Sequence, residues 1–333
     1  KEIAVTLAYL PQKIKDYFGN GSNFGVNIYY FTEDVPLGTA GSVKNAEEFL
    51  DETFVVISGD SLTNMDITKA LEFHREKKSL ATLVLTRVDV PLEYGVVITN
   101  ENGNIEGFLE KPSWGEVFSD TVNTGTYILE PRVLRYLEKN KKTDFSQDLF
   151  PMLLKKREPI FGHVTDGYWC DIGDLRAYLQ AHYDVLEKKI DIDMEAEEIK
   201  PGVFVGSGTI IDPGATINAP CLIGKNCQIE KRAVVDSFCI IGNNNVLEED
   251  VSLKRSVVWD GNYIEKGSQI RGAILCNNSN LKHYVHVYEN AVGGDNCIIN
   301  ERVIIKPNVK IWPQKTVEPL AVVDRNIIWG SKY

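Results

Sequence analysis

Two aspartates stand where a carboxylate could bind a metal ion. Asp60 ends the apolar run Phe54–Asp60, and Asp171 lies between aromatic residues and a glycine in the segment Gly167–Asp174. A carboxylate just beyond a buried strand emerges at the carboxyl edge of a sheet, where a hard cation can bridge phosphate oxygens. The alternatives are an ordinary turn at Asp60 and capping of the following helix, which fits Asp174 better than Asp171.

A Glu-Lys pair closes another predicted strand and could bind a phosphorylated sugar. Pro112 predicts an extended backbone at Lys111, because a proline restricts the residue before it. A lysine held in this way can direct a compact charge at a phosphate, and Glu110 can accept hydrogen bonds from sugar hydroxyls. A surface ion pair is the alternative. Asn123-Thr124-Gly125 offers an amide beside a glycine at the start of a predicted strand, with a similar structural alternative.

The segment Pro36–Gly41 leads from a loop into a predicted helix through small residues. Bare backbone N–H groups at the positive end of a helix suit a phosphate or the polar edge of a base. A glycine turn with a threonine cap explains the same residues equally well.

These residues need a scaffold, and residues 1 to about 189 alternate strand and helix patterns. Strands are predicted at Ile3–Leu10, Val26–Phe31, Phe54–Ser58, Leu80–Thr86, Val96–Thr99, Ile105–Leu109 and Thr124–Leu129. Helices are predicted at Pro11–Phe18, Ala40–Leu50, Ile67–Lys77 behind an Asp66 N-cap, Pro131–Lys139, Ser146–Lys155 and Leu175–Lys188. The alternation predicts an α/β domain with a doubly wound, mainly parallel sheet that binds ligands beyond the carboxyl ends of its strands.

The second half of the chain has a six-residue period. An aliphatic residue recurs at every sixth position from Val205 to Leu253, and the run shifts near Trp259 before it resumes at Ile299. Such a period predicts a left-handed parallel β-helix, each unit forming one face of a triangular coil. The predicted domains are 1–190, a linker at 191–201 and a β-helix at 202–333. Cys276–Asn280 is expected to bulge outward, and the coil end at Tyr333 is expected to need a cover.

Composition limits the partners. The 333 residues carry a formal net charge of −11, which argues against binding of a nucleic-acid backbone. The six cysteines show no metal-binding spacing and are interpreted as reduced thiols of a cytoplasmic protein. No apolar run reaches the length of a membrane span, and no secretory pattern opens the chain.

In their order, these segments resemble the nucleotidyltransferases that make nucleotide sugars, which carry a G-T-A-G loop, Gly-Asp, Glu-Lys-Pro, Asn-x-Gly and Tyr-Trp-x-Asp-x-Gly. The stretch Lys111–Gly125 looks like the mannose-1-phosphate guanylyltransferases that are fused to a phosphomannomutase domain. The resemblance implies transfer from a nucleoside triphosphate, GTP being favoured, to a sugar 1-phosphate, mannose 1-phosphate being favoured. It implies the following roles: Mg²⁺ ligands Asp60 and Asp171; nucleotide contacts Glu33, Gly38, Thr39, Ala40, Gly41 and Gly59; phosphate clamp Lys111; sugar contacts Glu110, Asn123 and Gly125.

The family's opening loop, G-G-x-G-T-R, and its P-K-P segment have no match here. We therefore expect the first βα unit to be missing and residues 1–333 alone to be inactive, with a phosphomannomutase domain beyond Tyr333 in the full-length protein. Homo-oligomers through the β-helix are also expected. Two other functions fit the sequence: a hexapeptide-repeat acyltransferase that uses His283 or His286, and a non-catalytic regulatory or scaffold subunit.

Overall fold

The computed structural model describes residues 1–117 and 119–329, so the predicted coil end at Tyr333 lies outside the described residues. Packing divides the chain into two compact units, Lys1–Asp171 and Ile172–Tyr333. This division falls well before the predicted linker at 191–201. It assigns to the second unit a helix that sequence analysis placed in the first domain. In the described residues, no helix has the length and apolar character that crossing a bilayer requires.

The described residues of the first unit form ten short strands and four α-helices. Its strands are β1 Glu2–Leu7, β2 Asn27–Thr32, β3 Phe54–Val56, β4 Ser61–Thr63, β5 Ala81–Arg87, β6 Gly95–Thr99, β7 Ile105–Glu110, β8 Thr121–Leu129, β9 Ile160–Val164 and β10 Trp169–Asp171. Its α-helices are α1 Pro11–Phe18, α2 Gly38–Asn45, α3 Ile67–Lys77 and α4 Phe150–Lys155. A π-helical turn, Phe145–Leu149, precedes α4, and short 3₁₀ helices are formed by Ser22–Phe24, Glu47–Phe49, Pro91–Glu93 and Pro131–Tyr136.

Two helices, α1 and α3, have the predicted bounds. The Asp66 side chain accepts a hydrogen bond from the Thr68 amide at 3.0 Å, so the predicted N-cap of α3 is confirmed. The predicted helix Ala40–Leu50 is divided between α2 and a 3₁₀ turn, and Pro131–Lys139 is a 3₁₀ helix instead of an α-helix.

The sheet of the first unit is mixed. Strand β8 pairs antiparallel with β3, β5 and β6, while β5 pairs parallel with β9, and β1 and β2 form a separate parallel pair. The α/β nucleotidyltransferase fold is confirmed, but the pairing differs from the mainly parallel sheet that the sequence predicted. The reason is that β5, β6, β7 and β8 are joined without a crossover α-helix, and parallel neighbours require longer crossovers.

The second unit begins with helix α5 Leu175–Leu186, and the strand β11 Glu197–Lys200 then pairs antiparallel with the first β-helix strand. The β-helix strands β12–β32 are Val203–Val205, Ile210–Ile211, Thr216–Ile217, Cys221–Ile223, Gln228–Ile229, Val234–Val235, Cys239–Ile241, Val246–Leu247, Ser252–Lys254, Val257–Val258, Tyr263–Ile264, Gln269–Arg271, Ile274–Leu275, Asn280–Leu281, His286–Val287, Val292–Gly293, Ile298–Ile299, Ile304–Ile305, Lys310–Ile311, Thr316–Val317 and Val322–Val323. They stack into three sheets of eight, seven and seven strands, the first of which includes β11. The predicted β-helix is thereby confirmed, and its handedness stays a prediction.

The expected bulge at Cys276–Asn280 is wrong. Ile241 pairs with Val258, and Val258 pairs with Leu275, so these two coils are one residue shorter than the others. Leu275 and Leu281 are completely buried and continue the inward column through this stretch. The six-residue count missed them because the spacing falls to five and because Gly293 takes an inward position without a side chain.

Candidate active site

A cavity of about 250 Å³ in the first unit collects residues from distant parts of the chain. It contains six of the residues that the sequence singled out, together with eight others. The lining residues are Ser58, Asp60, Ser61, Glu93, Tyr94, Gly95, Glu110, Lys111, Asn123, Thr124, Gly125, Ser146, Trp169 and Asp171.

The cavity lies where two neighbours of β8 separate. Strand β3 pairs with β8 at Tyr127–Leu129, whereas β6 joins it only at Val122. Between these points β8 bulges, because Val84 of β5 pairs with Thr126 and the next residue pairs with Asn123. Bulges of this kind redirect side chains and are frequent beside active sites. Here the bulge displaces Thr124 and Gly125 toward the cavity.

Gly125 is needed at this bulge for two reasons. Its φ is +74°, a left-handed conformation that residues with a Cβ rarely adopt. A Cβ at this position would also lie 3.1 Å from the Ser58 Cβ. The Ser58 hydroxyl donates to Asp60 Oδ1 at 2.5 Å, so the glycine allows the turn between β3 and β4, which carries Asp60, to approach β8 closely.

Asp60 and Asp171 lie at the same wall of the cavity. Strand β10 pairs antiparallel with β4, and Asp171 is the direct partner of Ser61, the residue after Asp60. Residues directly opposite in such a pair have Cα atoms about 4.5–5.5 Å apart. In the described part of the chain no group of three or more His, Cys, Asp or Glu side chains could hold a metal ion. Two carboxylates beside a phosphate site nevertheless suit Mg²⁺, which commonly takes one or two carboxylates and completes its shell with phosphate oxygens and water.

Lys111 lines the cavity, but its backbone is not extended as predicted. Its φ is +44°, and its amide donates to the Tyr94 carbonyl at 3.2 Å. The chain therefore turns sharply after β7, which ends at Glu110, and this turn outweighs the preference that Pro112 imposes. A non-glycine residue in this left-handed conformation carries backbone strain. Within the described residues, no ion pair occupies the Lys111 ammonium group.

Glu110 and Asn123 also line the cavity. Glu110 pairs with Gly95, and a Cβ on Gly95 would lie 3.0 Å from Glu110 Oε2, so the missing side chain leaves room for the carboxylate. The Asn123 amide group donates to the Tyr127 hydroxyl at 2.9 Å and to the Ser146 hydroxyl at 3.1 Å, and its oxygen accepts from the Gly125 amide at 3.0 Å. Burial raises the pKa of Tyr127 to about 12, so the phenol stays neutral and can accept this bond.

The predicted nucleotide contacts do not line this cavity. Glu33 is buried and accepts a hydrogen bond from the Leu37 amide at 2.9 Å. At the start of α2, Gly38 has a φ of +73°, and Thr39 donates to Asp144. Gly59 does not line the cavity either, although its sequence neighbours Ser58 and Asp60 do.

The expectation of bare amides at Gly38–Gly41 is therefore wrong for part of the segment. The amides of Ala40 and Gly41 donate to the Thr143 carbonyl at 3.0 and 3.1 Å. A Cβ on Gly38 would lie 2.7 Å from the same oxygen. The small residues allow the backbone of residues 141–143 to pack against the N-terminal turn of α2. The local sequence does not reveal this tertiary contact.

Several residues of the cavity wall, Trp169 and Ser146 among them, were not predicted from the sequence. Trp169 donates from Nε1 to the Thr124 carbonyl at 3.1 Å, and its ring packs edge-on against Tyr94 at 5.3 Å. Asp144 caps the π-helical turn Phe145–Leu149, and its side chain accepts a hydrogen bond from the Ser146 amide at 2.8 Å. This contact helps to fix Ser146 at the cavity wall. The sequence features that could have pointed to Trp169 and Ser146 are the aromatic pair Tyr168-Trp169 and the helix-capping pattern after Asp144.

The histidines considered for acyl transfer lie in the second unit. His283 is exposed, and its Nδ1 lies 3.3 Å from Glu265 Oε2. His286 is on a β-helix strand and faces an open surface beside Tyr284.

Comparison with known proteins identifies the family. Residues 1–188 match the nucleotidyl transferase family, and residues 217–328 match the GMPPB C-terminal domain. The UTP–glucose-1-phosphate uridylyltransferase of Synechocystis sp. is 36% identical over 260 residues, which cover 68% of this chain and 67% of that protein.

Two further relatives are named for mannose 1-phosphate. The mannose-1-phosphate guanylyltransferase of Mycobacterium tuberculosis is 29% identical over 65% of this chain and 64% of its own length. Mannose-1-phosphate guanylyltransferase 1 of Arabidopsis thaliana is 27% identical over 95% of this chain and 84% of its own length. With the family match over more than half of its residues, this chain belongs to the sugar-phosphate nucleotidyltransferases.

Proposed function

We propose that this protein transfers a guanylyl group from GTP to mannose 1-phosphate and releases pyrophosphate, with Mg²⁺ as the cofactor. The observation that supports the proposal is the meeting of Asp60, Asp171, Glu110 and Lys111 in one cavity. Two aspartates for a metal ion, a lysine for a phosphate and a glutamate for sugar hydroxyls are suited to joining two anionic phosphates.

Each group has a defined role. The phosphate oxygen of the sugar 1-phosphate attacks the α-phosphorus of the triphosphate, and pyrophosphate leaves in line. Lys111 binds the attacking phosphate and lowers its repulsion from the triphosphate, while Glu110 accepts hydrogen bonds from sugar hydroxyls. Asp60 and Asp171 would hold Mg²⁺, which supplies charge neutralisation at the phosphates. No covalent intermediate on the protein is required.

The choice of base and sugar rests on the relatives. The GMPPB C-terminal domain at 217–328 and the two mannose-1-phosphate guanylyltransferases favour GTP and mannose 1-phosphate. The Synechocystis relative, which has the higher identity, favours UTP and glucose 1-phosphate as the second candidate. Self-association through the β-helix, a fused mutase domain and a cytoplasmic location stay predictions.

A substrate matrix tests the proposal. The full-length protein is assayed for pyrophosphate release with each of GTP, UTP, ATP and dTTP against mannose 1-phosphate and glucose 1-phosphate, with Mg²⁺ and with EDTA. We expect the highest kcat/KM for GTP with mannose 1-phosphate and no turnover with EDTA. A higher value for UTP with glucose 1-phosphate would move the assignment to the second candidate, and turnover that survives EDTA would contradict the Mg²⁺ proposal.

A further inference from the structure

We propose that the second unit binds a phosphorylated small molecule in a cavity between helix α5 and one corner of the β-helix. The cavity has a volume of about 310 Å³. Its lining combines one face of the helix with the corner residues of successive coils: Arg176, Leu179, Gln180, Tyr183, Arg255, Gly272, Glu289 and Asn290.

Corner residues of successive coils contribute to the lining, and one of them, Gly272, has no side chain. Phe238, Arg255, Gly272 and Asn290 occupy equivalent left-handed corners, with φ values of 59°, 46°, 56° and 59°. They stack coil on coil, as shown by the hydrogen bond from the Asn290 amide to the Gly272 carbonyl at 2.7 Å. A Cβ on Gly272 would lie 3.1 Å from Glu289 Cγ, so at this level the Glu289 side chain lies beside the glycine and borders the cavity.

Helix α5 is fixed beside this column of corner residues by direct contacts. The Tyr183 hydroxyl donates to the Arg255 carbonyl at 2.7 Å, and its ring packs against Phe238 at 5.3 Å. Leu179 is buried against the outer face of the coils with Val257 and Ile274. The cavity wall is thus built by packed elements on both sides.

The charges at the cavity favour an anion. Across the described residues, no ion pair or side-chain hydrogen bond is recorded for the guanidinium groups of Arg176 and Arg255. The acid in the lining, Glu289, is already paired with Arg271 at 3.3 Å. Asp174, which interacts electrostatically with Arg176, accepts from the amides of Arg176 and Ala177 at 2.7 and 2.8 Å, so it caps the helix.

The chemistry of the lining selects the class of ligand. A guanidinium group presents paired N–H donors that match phosphate oxygens, and two of them can hold one phosphate group from both sides. Leu179 and Tyr183 offer apolar surface to a ring attached to the phosphate, and the small volume excludes a polymer.

The test measures binding in a variant whose catalytic cavity is weakened for the sugar 1-phosphate. Isothermal titration of the full-length Lys111→Met protein with mannose 1-phosphate, without Mg²⁺, should show one site per chain that weakens with added salt. Arg176→Gln or Arg255→Gln in this background should weaken binding by about tenfold or more. Arg302→Gln, which removes a corner arginine that forms no ion pair within residues 1–117 and 119–329, should leave the affinity within twofold.

Two results would overturn the proposal: no binding to the Lys111→Met protein, or equal binding after both arginine substitutions. Thermal melts of each variant check that the fold is retained. Because the catalytic reaction is not the readout, failure here leaves the proposed guanylyl transfer untouched, and failure of that reaction leaves this site testable.

Discussion

Asp171 lies directly opposite Ser61 in the antiparallel pairing of β10 with β4, and this places it beside Asp60 at the wall of one cavity. The two acids are more than a hundred residues apart in sequence. Their meeting is the structural basis for the proposed Mg²⁺ site.

We predict that Asp60→Asn and Asp171→Asn each lower Mg²⁺-dependent kcat by about a hundredfold or more, because each removes a charged ligand worth several kcal/mol at the transition state. Steady-state pyrophosphate release at several Mg²⁺ concentrations measures the effect. Asp166→Asn, an exposed acid in the loop before β10, is the matched control and should retain parental activity. Turnover within a few-fold of the parent in both active-site variants would refute the metal assignment.

Lys111→Met should raise the KM for the sugar 1-phosphate by roughly ten- to a hundredfold, because a charge-assisted hydrogen bond contributes about 1.5–3 kcal/mol. The Mg²⁺ dependence should change little. Initial rates with the sugar phosphate as the varied substrate provide the measurement, and Lys69→Met, an exposed lysine on α3, is the control. An unchanged KM with a lower kcat would assign Lys111 a different role.

Gly125→Ala should lower kcat by about tenfold while the protein stays folded. An alanine in the left-handed region costs roughly 1–2 kcal/mol, and its Cβ presses on Ser58, which holds Asp60. Gly115→Ala is the control, since a Cβ there would meet no atom within 4 Å. Parallel kinetics and melting curves distinguish a local effect from unfolding, and equal activity in both variants would show that the bulge tolerates a side chain.

Stability should fall in acid partly because of His74. This side chain is buried, with Nδ1 2.8 Å from the Thr82 hydroxyl and Nε2 3.2 Å from Glu130. Burial lowers the pKa of His74, although Glu130 acts in the opposite direction. An unfolded chain has a histidine pKa of about 6.5, so below that pH protonation favours the unfolded state. The stabilising contribution is therefore present above about pH 6.5 and is lost as the pH falls.

Urea unfolding at pH 7.5 and 5.5 measures this effect. His74→Gln should show a smaller loss of stability between the two pH values than the parent. Burial also lowers the pKa of His163 and His182, so both proteins retain some acid sensitivity. His283→Gln, at an exposed position, should behave like the parent. The same pH dependence in His74→Gln and the parent would exclude His74 as a contributor.

Local sequence determined much of this protein. The bounds of α1 and α3, the Asp66 cap and the inward column from Ile223 to Leu253 follow from residue type and spacing, because capping and periodic burial depend on near neighbours. Local sequence also identified Asp60, Lys111 and Asp171 as candidate site residues. It could do so because each stands at the end of a strand or between aromatic residues.

The tertiary structure alone decided the mixed sheet, the bulge at Thr124–Gly125, the left-handed backbone of Lys111 and the contact of Thr143 with the start of α2. Each depends on which distant strand or loop becomes a neighbour. The pairing of β10 with β4 is the main case, since three-residue strands carry too little periodicity to be recognised. Only the folded chain brings Asp171 to Asp60, because hydrogen bonds between remote segments, and not the residues beside each acid, fix that distance.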